Sequence, residues 1–156
     1  VSGFRPGVRL GIDVGTARIG VARSDRDGLL AVPVETVPRG DNDVARIAAL
    51  AAEYDAFELV VGLPVALSGR ETASTADARG FAQALADAGH RVRLIDERLS
   101  TVSAHGALRG SGRSQKSSRS IVDQVAAVVL LQQALDVEKG TGNPAGASVG
   151  PSQEHP

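Results

Sequence analysis

The chain has 156 residues, 42% of them hydrophobic, with 17 basic and 18 acidic side chains and a formal net charge of −1. One compact domain suits that length, and the absence of cysteine excludes disulfides, thiolate nucleophiles and Cys-based zinc or iron–sulfur sites. The longest apolar run, Val125–Leu131, is too short to span a membrane, Val1 to Arg9 lack the order of a signal peptide, and four aromatics (Phe4, Tyr54, Phe57, Phe81) are too few for a base-stacking platform.

Val8, Leu10, Ile12 and Val14 alternate with Arg9, Gly11 and Asp13, which predicts a strand. Gly15-Thr16-Ala17 turns the chain into a second strand over Ile19–Ala22. Asp25-Arg26-Asp27-Gly28 turns it again into a third, Leu29 to Val37. After Pro38-Arg39-Gly40, Asp41 or Asn42 caps a helix whose inner face is Val44, Ile47, Ala48 and Ala51. Leu59–Leu63 is continuously apolar, as in a strand covered on both sides. Ser74 with Asp77 reads as a capping box before a helix facing inward with Phe81, Ala84, Leu85 and Ala88. Val92–Asp96 is the last predicted strand, Thr101–Leu108 a short helix, Gly110–Ser118 a mobile Gly/Ser-rich loop, and Ile121–Val137 an apolar helix. Residues 138–156, rich in Gly and Pro, read as a disordered tail. The sum is an α/β domain over 1–137: a five-stranded mixed β-sheet flanked by α-helices on both faces, with right-handed crossovers between its parallel strands.

Charge is unevenly placed. Residues 1–97 sum to −3 and residues 123–156 to −3, whereas 98–122 carry Arg98, Arg109, Arg113, Lys116 and Arg119 without one acid, a local +5. Such a segment reads either as an anion-binding site or as a solvated loop.

Three carboxylates stand out. Asp13 sits near the end of the first strand between small residues, Glu97 follows the last strand, and Asp123 opens the apolar helix. Parallel strands end at one sheet edge, so Asp13 and Glu97 meet there, and a helix starting near Ser120 brings Asp123 to the same place. At ~4 Å and an effective dielectric of ~20, each close pair of like charges costs roughly 4 kcal/mol. A divalent cation removes that cost, and oxygen donors without His or Cys favour Mg²⁺ or Mn²⁺. Two such ions activate water against a phosphodiester. Blander roles compete: a turn for Asp13, a surface ion pair with Arg93 or Arg98 for Glu97, and a capping box with Ser120 for Asp123. His90, His105 and His155 are scattered, and Gly62–Gly69 lacks the spacing of a P-loop.

Leu10-Gly11-Ile12-Asp13-Val14-Gly15-Thr16-Ala17-Arg18-Ile19-Gly20-Val21-Ala22 resembles the opening motif of the YqgF family, RNase H-like proteins described as Holliday-junction resolvases or pre-16S rRNA nucleases. Val61-Gly62-Leu63-Pro64 with Gly69, Asp96-Glu97-Arg98-Leu99-Ser100-Thr101 and Val122-Asp123-Gln124-Val125-Ala126-Ala127 agree in the same order. The resemblance runs from about Val8 to Asp136. It implies an RNase H-like fold, an acidic catalytic and metal-binding triad of Asp13, Glu97 and Asp123, and basic residues ahead of the last helix. The activity expected is that of a cytoplasmic, Mg²⁺- or Mn²⁺-dependent nuclease, acting on structured RNA in ribosome maturation or, alternatively, on branched DNA. It would work as a monomer or homodimer, without a membrane. Arg18, Arg98, Arg109, Arg113, Lys116 and Arg119 would hold phosphates, and Thr101 would position Glu97 or touch the nucleic-acid backbone. Asp13-Val14-Gly15-Thr16 also resembles the first phosphate motif of actin-like kinases, but their second acidic-glycine motif is missing from this chain. A non-catalytic binding module with a vestigial triad is the third reading.

Overall fold

In the computed structural model, residues 3–97 and 115–152 are described, those from 115 to 120 by their backbone alone. Strand β1 (Val8–Val14) is followed by β2 (Arg18–Ser24), β3 (Ala31–Pro38), helix α1 (Asp43–Glu53), β4 (Ala56–Leu63), α2 (Ala73–Asp87), β5 (Val92–Asp96), α3 (Gln115–Thr141) and β6 (Ala147–Val149). The strands form one sheet in the order β3-β2-β1-β4-β5-β6. β1, β4 and β5 run parallel, β2 and β3 form the antiparallel meander beside β1, and β6 pairs antiparallel with β5. The expected mixed sheet is therefore present with six strands instead of five.

Alternation along β1 explains the two-layered core. Leu10, Ile12 and Val14 face one side, where they pack with Leu59 and Val61 of β4 against Ile47 and Leu50 of α1 and Phe81 and Leu85 of α2. The opposite face carries Ala22, Val60 and Ile95, covered by Ala127, Leu130, Leu131 and Leu135 of α3. α3 comes unusually close there. An added Cβ at Gly11 would lie 2.8 Å from the Ala127 carbonyl oxygen, and one at Gly20 would lie 1.8 Å from that of Asp123.

Several local expectations are corrected. α2 is capped by Thr72, whose hydroxyl accepts from the Thr75 N–H while the Thr75 side chain answers the Thr72 N–H. The pair Ser74 and Asp77 does not cap: Thr72 is extended whereas Ser74 is already helical, which leaves Asp77 available to Arg39. Asn42 is the N-cap of α1 without a side-chain capping bond. α3 begins at Gln115, ahead of the expected Ile121, so Asp123 lies inside the helix and caps nothing. The Thr101–Leu108 helix and most of the Gly110–Ser118 loop lie outside the described residues; 115–118 are helical.

The disordered tail expected from residue 138 is also corrected. α3 continues to Thr141 because Glu138 is buried and accepts from Arg5 Nη2 at 2.8 Å and from Arg9 Nη2 at 3.0 Å. Glu58, equally buried, pairs with Arg5 and with Arg93 at 3.0 Å. Beyond the helix, β6 completes the β5 edge, and Ser152 Oγ donates to Asp87. Composition missed these contacts because the partners of Glu138 lie about 130 residues away in sequence.

Candidate active site

The C-terminal ends of β1, β4 and β5 define one edge of the sheet. Asp13, one residue before the end of β1, lies on the face covered by α3, since Gly11, two residues earlier, packs directly on that helix. Glu97 follows β5 on the same face as Ile95, and its N–H donates to the Leu63 carbonyl at 3.3 Å, which continues the β4–β5 ladder by one step. The two acids meet as expected. The Glu97 side chain is hydrogen-bonded to Asp13, and its pKa is pushed up to about 9, first by burial and then by the charges of Asp13 and Asp96. Burial and the neighbouring acids thus favour the protonated form of Glu97. Asp96 itself is exposed, pointing the other way as strand alternation requires.

Gly62 makes this pair possible. A Cβ built there would sit 2.2 Å from Glu97 Oε2 and 3.1 Å from Leu130 Cδ2, so only glycine leaves space for the carboxyl group between β4 and α3.

Asp123 approaches from α3. Its backbone carbonyl rests on Gly20, which pairs with Asp13 in the β1–β2 ladder, so the helix carries Asp123 to the neighbouring strand. Its carboxylate accepts from Arg18 Nε at 2.7 Å, with the two side chains 16% and 35% exposed. Among the described residues no group of three His, Cys, Asp or Glu side chains is arranged to hold a metal ion. Asp13 and Glu97 are brought together, whereas Asp123 is held by Arg18 in an ion pair and does not group with them as a third ligand. Gln124 adds a bond from Nε2 to Thr36 Oγ1 at 2.9 Å, pinning this turn of α3 to β3.

Of the expected phosphate-binding residues, Arg18 lies at this edge. Lys116 and Arg119 belong to the first turns of α3, while Arg98, Thr101, Arg109 and Arg113 lie outside the described residues. Sequence reasoning assigned no site role to Gly20 or Gly62. Their signal was present, because a glycine in a strand interior marks a close approach of another backbone or group.

Donor chemistry suits a hard cation. Two carboxyl groups in contact repel when both are charged, and a divalent ion relieves that repulsion with oxygen ligands alone.

Known proteins resemble the chain in fold and in sequence. In the structure of Thermus thermophilus RuvC in complex with a Holliday junction substrate, the protein superposes with a TM-score of 0.54 at 19% identity, covering 88% of this chain and 99% of that one. The likeness establishes the fold as RNase H-like. A Clavibacter sepedonicus protein named "Putative pre-16S rRNA nuclease" is 63% identical over 150 residues, covering 94% of this chain and 93% of that protein. A Streptomyces coelicolor protein of the same name is 52% identical over 150 residues, covering 94% and 90%. No described helix is long and apolar enough to cross a membrane. The family described as RuvX, Holliday junction resolvase, matches residues 7–137, and the chain belongs to that family.

Proposed function

We propose that this protein is a metal-dependent endonuclease that hydrolyses phosphodiester bonds, with the 5′ end of pre-16S rRNA as its substrate and the cytoplasm as its place of work. The observation that carries this reading is the contact of buried Glu97 with half-buried Asp13 at the C-terminal edge of an RNase H-like sheet. The substrate follows the names of relatives that are more than 50% identical over nearly the whole chain.

Asp13, Glu97 and Asp123 are the catalytic residues in this reading. They would hold Mg²⁺ or Mn²⁺, which when bound supplies the positive charge that activates water and stabilises the leaving oxygen. The chain's own groups do the remaining work. β1 fixes Asp13 rigidly, Gly62 gives Glu97 its place, and release of the Glu97 proton frees the carboxyl oxygens of the pair for ligation. Arg18 neutralises Asp123 and, being one-third exposed, presents its other guanidinium donors to a phosphate. Lys116, Arg119 and the basic residues before them (Arg98, Arg109, Arg113) hold the nucleic-acid backbone, and Thr101, four residues after Glu97, positions Glu97 or touches that backbone.

A Holliday junction is the second substrate reading, favoured by the family description and by the RuvC fold. It requires two sites and hence a homodimer, whereas trimming an RNA end requires one. The deciding experiment offers an RNA spanning the leader and the 5′ end of 16S rRNA, and a four-way DNA junction, to wild type and Asp13→Asn with Mn²⁺ or with EDTA. Cleavage of the RNA alone, by the wild type and with Mn²⁺ only, is the expected result. Cleavage of the junction alone transfers the reading to recombination. Binding without cleavage of either assigns a non-catalytic module.

A further inference from the structure

We infer that Arg39 is a positioning residue for the catalytic edge, fixing the β1–β2 turn that joins Asp13 to Arg18. The inference rests on the reading of Asp13 as catalytic. Gly15, Thr16 and Ala17 form this turn, and Thr16 and Ala17 are exposed, so side-chain packing does little to hold it. Both peptide groups of Gly15 are nevertheless engaged: its N–H donates to the Arg18 carbonyl at 2.8 Å, and its carbonyl accepts from Arg39 Nη1 at 2.8 Å. The Arg39 N–H also donates to the Ala17 carbonyl at 3.0 Å.

The guanidinium is itself anchored on three sides. Its Nη1 and Nη2 donate to the two oxygens of Asp77 at 2.7 and 2.9 Å, and its Nε to Asp43 at 3.2 Å. Its carbon lies 5.5 Å from the centre of the Phe81 ring. α1, α2 and the turn are thus tied through one planar group, and a lysine has too few fixed donors to replace it. Asp13 lies two residues before Gly15, and Arg18, the partner of Asp123, lies three after it. A turn free to move would shift two of the three candidate acids relative to Glu97, and misplacement of about 1 Å costs a catalytic site up to about a hundredfold.

The test compares Arg39→Gln, Arg39→Lys and Asp77→Asn with wild type and with Arg79→Gln, which breaks an exposed ion pair on the same helix. Cleavage of the 16S leader RNA with Mn²⁺ gives kcat and KM. Hydrogen exchange at the Gly15 amide in EDTA gives the order of the turn without metal or substrate. The expected result is a fall in kcat of about ten- to a hundredfold for Arg39→Gln with KM unchanged. Smaller falls should follow for Arg39→Lys and Asp77→Asn, faster exchange at Gly15 in all three, and no change in Arg79→Gln. Wild-type kcat in a folded Arg39 variant overturns the inference, and so does a rise in KM alone, which would make Arg39 a substrate contact. If neither Arg39 variant folds, Asp77→Asn decides, since it keeps the bond to Gly15 and removes its principal anchor; wild-type kcat and exchange there overturn the inference. Asp13→Asn is assayed alongside: its retained cleavage would sink the site reading itself, whereas its inactivity beside an unaffected Arg39→Gln would sink only the positioning role.

Discussion

Asp13 and Glu97 are in contact, and burial together with the charge of Asp13 favours the protonated form of Glu97. Because the Glu97 pKa is raised from 4.5 to about 9, folding takes up a proton between those values. The folded state therefore loses stability as pH rises from about 4.5 towards 9. Asp13→Asn removes the like charge while leaving Glu97 buried, so in EDTA the variant should match or exceed wild type, by ~1–2 kcal/mol near pH 8. Thermal melts across pH without metal check this, and a marked destabilisation would return Asp13 to the role of a turn residue. Gly62→Ala should act oppositely. Its methyl group meets Glu97 Oε2, so the carboxyl group must leave its place, at a cost of ~1–3 kcal/mol and with loss of cleavage. Urea denaturation and the RNA assay measure the two effects separately.

At the scale of the element, α3 is held by polar and charged groups at two places along its length. Asp123 and Gln124 fasten its N-terminal part to β2 and β3, and Glu138 fastens the other end to Arg5 and Arg9. The Asp123–Arg18 pair is partly exposed and contributes little to stability beside its role at the site. Glu138 is different. Despite burial, its bonds to Arg5 and the charge of Arg9 bring its pKa down to about 2. This contribution to stability is present above the ordinary carboxylate pKa of 4.5 and is lost as pH falls towards 2. Glu138→Gln should flatten the acid limb of the stability curve. It should also destabilise the protein by ~3–5 kcal/mol at pH 7, because Arg9 remains buried without its anion. Acid titration of the two proteins, followed by circular dichroism, is the measurement.

Over the whole molecule, charge separates by segment, with the basic residues of 98–122 placed in sequence between Glu97 and Asp123. Replacing Arg113, Lys116 and Arg119 by Ala removes up to three phosphate contacts. For duplex DNA the slope of log affinity against log salt should then fall by as much as ~2.7, at ~0.9 per contact, and by somewhat less for single strands. Affinity should weaken similarly for unrelated sequences, because phosphate contacts do not read bases. Fluorescence titrations at several salt concentrations check both statements, and an unchanged slope means that these three side chains hold no phosphate.

Periodicity alone determined most of the sheet. The alternation in Val8–Val14, the apolar block Leu59–Leu63 and the run Val92–Asp96 fix three strands and their order along the chain, because period-2 burial is a local property of sequence. It also determined that Asp13 and Glu97 share an edge, since parallel strands end on one side, and four short motifs in series pointed to the family. What tertiary structure decided are matters of distant pairing. A sixth strand forms over Ala147–Val149 only because β5 offers it an open edge, and Glu138 is interior only because Arg5 and Arg9 meet it from the opposite end of the chain. Thr72 replaced Ser74 as a cap because backbone conformation selects among neighbouring hydroxyls. The protonation of Glu97, the space at Gly62 and the capture of Asp123 by Arg18 likewise depend on how closely α3 settles on the glycines of β1 and β2. Burial and separation set these energies, and neither is a property of any single stretch of sequence.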